Sequence, residues 1–155
     1  MAAVGLSEAP PFAARRPRRA DFPRLWSFPL RWRDEDVYGH LNNVVYGEYF
    51  DTVVALWLRE SGALPVPRSP VVGLVAETRT RFWAPVSFPG PAAVGLSLAR
   101  AGRTSVVYDL ALFGGQEDEA AALCRFAHVY VDAETRRPVP LPDSLSRALD
   151  GLSRL

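Results

Sequence analysis

The residues best suited to chemistry lie close together, between residues 31 and 46. Asp36 and His40 stand just before the one long helical pattern in the sequence, with Asn42 and Asn43 at its start. A carboxylate and an imidazole placed there would lie beside the N–H groups of a helix start, which have no intrahelical partner and favour negative charge. That arrangement suits a reaction at a carbonyl whose oxygen becomes negative in the transition state.

Each residue of this stretch has a chemical and a structural interpretation. His40 is positioned either to hold a water molecule or take its proton, or to bond the loop backbone. Gly39 permits a positive φ or a close approach of a ligand. Asn42 and Asn43 are of the type that caps a helix start, and Asp34 is expected to brace the loop or an interface.

The elements around this stretch follow from the spacing of apolar residues. A strand over residues 27–35 is predicted to break at Asp36, and a helix to run from Asn43 to Glu60. The helical stripe is strongly aromatic, so we expect the helix to be nearly engulfed by the rest of the fold. Ser61, Gly62 and the prolines that follow predict its end.

Four strand-like runs follow the helix, over residues 71–83, 92–100, 104–113 and 121–132, and a short helix is predicted near residues 143–152. Short connections between the strands predict an antiparallel meander. The economical way to bury the long helix is an α+β fold in which a five-stranded antiparallel sheet curls around it. Edge strands of such a sheet are commonly covered by dimerisation.

Composition limits the remaining possibilities. Residues 1–24 are rich in Ala, Pro and Arg and are predicted to be a disordered basic tail, with a transit peptide as the alternative, and residues 25–155 form one domain. A net charge of +1 gives no electrostatic reason to expect nucleic acid or a membrane as partner. The single cysteine fits a reducing compartment, so we expect a cytoplasmic protein. Two histidines and one cysteine are too few for the usual zinc ligand set, so no metal is expected.

A known family shares the central pattern. Asp34-x-Asp36-x-x-Gly39-His40-x-Asn42-Asn43-x-x-Tyr46 resembles the hotdog-fold thioesterases of the 4-hydroxybenzoyl-CoA thioesterase superfamily, and also the acyl-ACP thioesterases. Weaker similarities continue to about residue 143. The resemblance implies a hotdog fold, a homodimer or homotetramer with active sites at the subunit interface, and thioester hydrolysis without a metal or other cofactor.

Site residues carry over by position. Asp36 matches the family's catalytic aspartate, which acts as nucleophile or as general base. The backbone N–H of Asn43 matches the donor that polarises the thioester carbonyl, although another branch has a catalytic histidine at this position. His40 matches the histidine of the acyl-ACP branch, which implies an Asp36–His40 pair.

Substrate contacts are assigned more broadly. Gly39 lies where the acyl group would approach, and Tyr46 is a candidate for an apolar tunnel wall, although core packing explains it equally well. Arg103, Thr104 and Ser105 follow a turn and are candidates for contacts with the phosphates of coenzyme A, and Arg136 and Arg137 are an equally plausible pair. The sequence therefore predicts a hydrolase of acyl-CoA or acyl-ACP, with a non-catalytic acyl-thioester-binding module or a hotdog dehydratase or hydratase as alternatives.

Overall fold

The structure is a computed structural model that describes residues 9–155. Its elements are β1 (Leu25–Pro29), α1 (Asn43–Glu60), β2 (Val71–Phe82), β3 (Pro91–Ala101), β4 (Ser105–Gly114), β5 (Ala122–Asp132) and α2 (Asp143–Leu149). The five strands form one antiparallel sheet, and α1 packs against it. The predicted α+β hotdog architecture is confirmed.

Helix α1 has the predicted bounds. The side chain of Asn42 caps its start by accepting a hydrogen bond from the N–H of Val44, and Gly62 follows its end with a φ of +70°. One face is buried against the sheet, where Val53 and Phe50 are 0% and 1% exposed. The opposite face is exposed in the single chain, so the expectation of a nearly engulfed helix is wrong at this level. The sheet covers only the face of the helix that carries the apolar stripe, and the polar face stays exposed.

The strand order is β1-β3-β4-β5-β2, which corrects the predicted meander. Strands β3, β4 and β5 are successive antiparallel neighbours as expected, but β2 pairs with β5 rather than with β3. The link between β2 and β3 is not a tight turn, because its backbone bonds to other elements. The N–H of Trp83 donates to the carbonyl of Ala121, and the carbonyl of Val86 accepts from the N–H of Leu41.

The first strand is shorter than predicted. Strand β1 ends at Pro29, and a single 3₁₀ turn over Trp32–Asp34 occupies the region expected to continue it. Proline has no N–H to donate to a strand ladder. The carboxylate of Asp34 also accepts a hydrogen bond from the N–H of Arg31, which closes the turn.

The outer face of the sheet, away from α1, is covered by the start of the chain. Of the predicted disordered tail, residues 1–8 lie outside the described residues, whereas residues 9–24 differ from that expectation and pack on the fold. Phe22 stacks edge-on against Phe113 at 5.9 Å, and Arg15 forms a salt bridge with Asp21. The composition of this segment shows its basic charge, but it does not show that carboxylates and backbone carbonyls pair with the arginines. In residues 9–155 no helix combines the length and apolar character needed to span a bilayer.

Candidate functional site

A short loop ahead of α1 holds Asp36 through backbone hydrogen bonds. One carboxylate oxygen of Asp36 accepts from the N–H of Tyr38 at 2.8 Å and from the N–H of His40 at 3.4 Å. The N–H of Asp36 in turn donates to the carbonyl of His40 at 2.8 Å. Gly39 has a φ of +76°, a conformation that an L side chain rarely adopts. The loop therefore holds the carboxylate through its own backbone N–H groups.

Asp34 braces this loop from below. It is 1% exposed, and it accepts hydrogen bonds from the guanidinium of Arg31 and from the hydroxyl of Tyr49, a residue of α1. Burial alone would raise the pKa of Asp34, but the hydrogen bonds from Arg31 and Tyr49 outweigh it and lower that pKa. The ionised group ties the loop to the helix, which is the bracing role expected for this residue.

The start of α1 offers a spare donor to this site. The side chain of Asn42 satisfies the N–H of Val44, while the described residues provide no acceptor for the N–H of Asn43. The first turn carries no acidic side chain that would compete for the positive end of the helix. A partial negative charge on a bound ligand is therefore favoured at this point.

Four of the predicted site residues line one pocket. Asp36, His40, Asn43 and Tyr46 border a cavity of about 410 Å³ at the end of β2. The remaining lining residues are Leu41, just before α1, Phe82 at the end of β2, and Trp83, Ala84 and Pro85 in the link after β2. The ring of Tyr46 packs edge-on against that of Phe82 at 5.1 Å, and burial raises the pKa of Tyr46 to about 12. A carboxylate, an imidazole and the residue with a free N–H thus border one pocket.

This arrangement has the parts needed for chemistry at a carbonyl. An oxygen that becomes negative would be stabilised by the free N–H of Asn43, and a single such donor is worth about 3–4 kcal/mol in a water-excluded site. Asp36 is available as nucleophile or base. Its hydrogen bonds in the structure come from the backbone N–H groups of Tyr38 and His40.

The residues expected to meet phosphates lie elsewhere in the chain. Arg103 and Thr104 are in the turn between β3 and β4, and Ser105 begins β4, where it pairs with Val129. Phe82, at the pocket, pairs instead with the far end of β5. Seven residues of β5 separate these positions, or roughly 23 Å of strand. Within one chain these three residues do not join the pocket.

Sequence reasoning gave no lining role to Trp83 and Ala84, which complete the wall of the pocket. The sequence indicated only that the strand ends near Pro85, not that the residues before it line a pocket. Within residues 9–155, no group of three or more His, Cys, Asp or Glu side chains is placed to hold a metal ion.

Comparisons with known proteins concern the family and the fold. A profile of the thioesterase-like superfamily matches residues 30–149. A search of curated proteins found no match. Among solved structures, the PA5185 protein of Pseudomonas aeruginosa is 42% identical, with a TM-score of 0.85 over 90% of this chain and 98% of its own.

Two further solved structures carry functional names. A thioesterase of Thermus thermophilus, complexed with coenzyme A and zinc, is 25% identical, with a TM-score of 0.68 over 83% of this chain and 98% of its own. A 1,4-dihydroxy-2-naphthoyl-CoA thioesterase of Synechocystis is 17% identical, with a TM-score of 0.73 over 83% of this chain and 96% of its own. The second likeness concerns the fold alone.

Proposed function

The chain belongs to the thioesterase-like superfamily, and we propose that it hydrolyses acyl-CoA thioesters in the pocket that Asp36 shares with the start of α1. The observation that carries this proposal is that Asp36, whose carboxylate is held by backbone N–H groups, and Asn43, whose N–H is free, line the same pocket. The Thermus thermophilus thioesterase that binds coenzyme A supports coenzyme A as the thiol.

The reaction needs few protein groups, because the thiolate of a thioester leaves readily. The thioester carbonyl accepts a hydrogen bond from the N–H of Asn43, which stabilises the oxyanion. Asp36 either attacks the carbonyl carbon, giving an anhydride that water cleaves, or removes a proton from the attacking water. Both routes consume one water and yield a carboxylic acid and a free thiol.

His40 has a supporting role in this scheme. Its imidazole borders the same pocket and is exposed, so it can orient the water or pass its proton to solvent. The histidine at this position matches the one in the acyl-ACP thioesterases, which the sequence resembles. An acyl group on a carrier protein is therefore the alternative substrate, to be compared directly with acyl-CoA.

A homodimer would complete the site. Strand β2 is the outermost strand of the sheet, and its Leu74 and Val75 side chains are 41% and 49% exposed. We infer that β2 pairs antiparallel with β2 of a second copy, which continues the sheet. Such pairing brings the Val71 end of one chain to the Phe82 end of the other. Arg103, Thr104 and Ser105, at the Val71 end, would then approach the pocket of the second copy and contact the phosphates of the coenzyme A bound there.

The test is release of free thiol from acyl-CoA and acyl-ACP by the parent and by two variants. Asp36→Asn keeps the size of the side chain and Asp36→Ala removes it, and both should lose most turnover while the protein stays folded. Near-parent rates for both variants on every thioester that the parent cleaves would refute the assignment of Asp36. Tight binding of acyl-CoA by the parent, with no thiol released, would instead favour a binding module.

A further inference from the structure

The imidazole of His128 is buried without a partner. The residue is 4% exposed, and neither ring nitrogen has a hydrogen-bond partner within residues 9–155. A neutral imidazole carries one donor and one acceptor, and leaving a buried polar group unpaired costs about 1–3 kcal/mol. Burial lowers the pKa of His128 to about 4, so the ring is neutral near pH 7. A bound molecule that reaches this ring can supply the missing hydrogen bond.

That ring borders a second cavity, between α1 and the start of β2. The cavity has a volume of about 230 Å³. Most of its lining is apolar, and the residues are Val54, Ala55, Leu58, Leu64, Val66, Val72 and Gly73, with Asp51 and His128 as the polar members. Cavities of about 150 Å³ bind benzene, so there is room for an aromatic ring or a similar length of aliphatic chain.

A glycine packs closely against the buried histidine. A Cβ atom on Gly73 would lie 3.1 Å from Nδ1 of His128 and 3.1 Å from the ring of Tyr130. Both distances are tighter than ordinary contacts, so a larger residue at this position would crowd the imidazole. The absence of a side chain leaves the cavity open on that side.

The second cavity and the Asp36 pocket are both lined by residues of α1 and β2. Phe82 borders the first pocket and Gly73 the second, and both pair with residues of β5 that face α1. Along the helix, Asn43 and Val54 are eleven residues apart, which corresponds to a rise of roughly 16 Å. A long acyl group can reach from one to the other within a chain. A short one can do so if β2 pairing brings the cavity of one copy towards the Asp36 pocket of the next.

We propose that this second cavity holds the acyl group of the thioester and selects acyl groups that carry a hydroxyl, which bonds to His128. The inference rests on the proposed thioester hydrolysis. A hydroxyl can donate to the bare nitrogen of the imidazole or accept from its N–H. A carboxylate is disfavoured, because the imidazole is neutral and the carboxylate of Asp51 lies in the same cavity.

The test compares matched thioesters that differ by one hydroxyl. Phenylacetyl-CoA and its para-hydroxy derivative probe a short acyl group, and dodecanoyl-CoA and its ω-hydroxy derivative probe a long one. For at least one pair, kcat/KM of the parent should favour the hydroxylated member about tenfold, the scale of one buried hydrogen bond. In His128→Phe, which keeps a ring but removes both nitrogens, the ratio should fall to about one.

The other histidine of the chain provides the matched control. His40→Phe should keep the preference for the hydroxylated thioester whatever its effect on the rate, because His40 lies at the Asp36 pocket. A parent without preference in both pairs, or a preference that persists in His128→Phe, overturns the proposed selectivity while hydrolysis stands. If the parent cleaves none of the thioesters, the proposed function fails instead. In that case calorimetry measures the affinities of the same pairs for the parent and for His128→Phe. A tenfold preference of the parent for the hydroxylated member that is lost in His128→Phe would support the cavity's role, and any other result would overturn it.

Discussion

The N–H of Asn43 is the group whose chemical role a single substitution can isolate. Proline has no N–H yet is well tolerated at the first position of a helix. Asn42 has φ −60° and ψ 133°, a conformation compatible with a following proline. Asn43→Pro should therefore keep α1 and remove the oxyanion donor.

We expect Asn43→Pro to lower kcat by about a hundredfold to a thousandfold in a thiol-release assay. Asn43→Ala, which retains the N–H, should lose far less. Equal losses in the two variants would show that the side chain of Asn43, rather than its backbone, matters. Circular dichroism of both variants checks that the helix is intact.

His128 should make stability depend on pH. Burial lowers its pKa from 6.5 to about 4, so between these values the unfolded chain binds a proton that the folded chain does not. The free energy of unfolding should therefore fall as the pH drops through this range, by up to roughly 3 kcal/mol. Asp51 is the other ionisable group lining the cavity, while Tyr108 and Tyr130 flank the ring and are neutral here.

Urea unfolding of the parent and His128→Phe between about pH 7 and pH 4.5 measures this effect. The parent should lose stability with falling pH more steeply than the variant. The variant should also be at least as stable near neutral pH, because an unpaired buried polar group has been removed. Parallel curves would mean that His128 titrates normally.

Some residue roles follow from residue type alone. Gly39 was expected to allow a positive φ and has one, and Asn42 was expected to cap α1 and does so. Those roles depend on local backbone geometry, which residue type restricts strongly. The direction of the His40 side chain depends on the hydrogen bonds of the whole loop, which the type of one residue does not determine.

At the scale of elements, a buried ion pair joins the sheet to the covering N-terminal segment. Asp109 on β4 and Arg125 on β5 are 4% and 3% exposed, and two hydrogen bonds of 2.7 Å connect them. The guanidinium of Arg125 also donates to the carbonyl of Pro10 and lies over the ring of Phe12. This pair anchors the segment over the outer face.

Removing one member of that pair should be far worse than removing both. Asp109→Ala leaves a buried guanidinium without its counter-charge and should cost about 3–5 kcal/mol of unfolding free energy. Replacing Asp109 and Arg125 together by leucine removes both charges and should recover most of that loss. Urea denaturation of the three proteins measures the difference. A double variant as unstable as Asp109→Ala would contradict the argument.

Element boundaries were predictable where the pattern is local. The bounds of α1 follow from its apolar stripe, its cap and the glycine after it. The pairing of β2 with β5 was not predictable, because a link of eight residues with two prolines fits either a wide turn or a crossover. The choice depends on bonds such as that between Leu41 and Val86, which join segments far apart in sequence.

At the scale of the whole molecule, exposed apolar side chains concentrate near the Asp36 pocket and along β2. Val37 and Tyr38 in the Asp36 loop are 93% and 80% exposed, and Val44 at the start of α1 is 69% exposed. Together with Leu74 and Val75 on the outermost strand, they are typical of a surface that is covered in an assembly. The proposed dimer would therefore connect this surface to the proposed chemistry.

The last prediction tests that connection with one added charge. A lysine on an edge strand is a common way to block pairing with another strand. Val75→Lys should therefore yield a folded monomer by analytical ultracentrifugation and lose most thioester hydrolysis, because the site would lack the residues of the second copy. Gln116→Lys adds the same charge in the exposed turn between β4 and β5 and should remain a dimer. A parent that sediments as a monomer would refute the β2 interface. A monomeric Val75→Lys variant with parent turnover would show that one chain suffices.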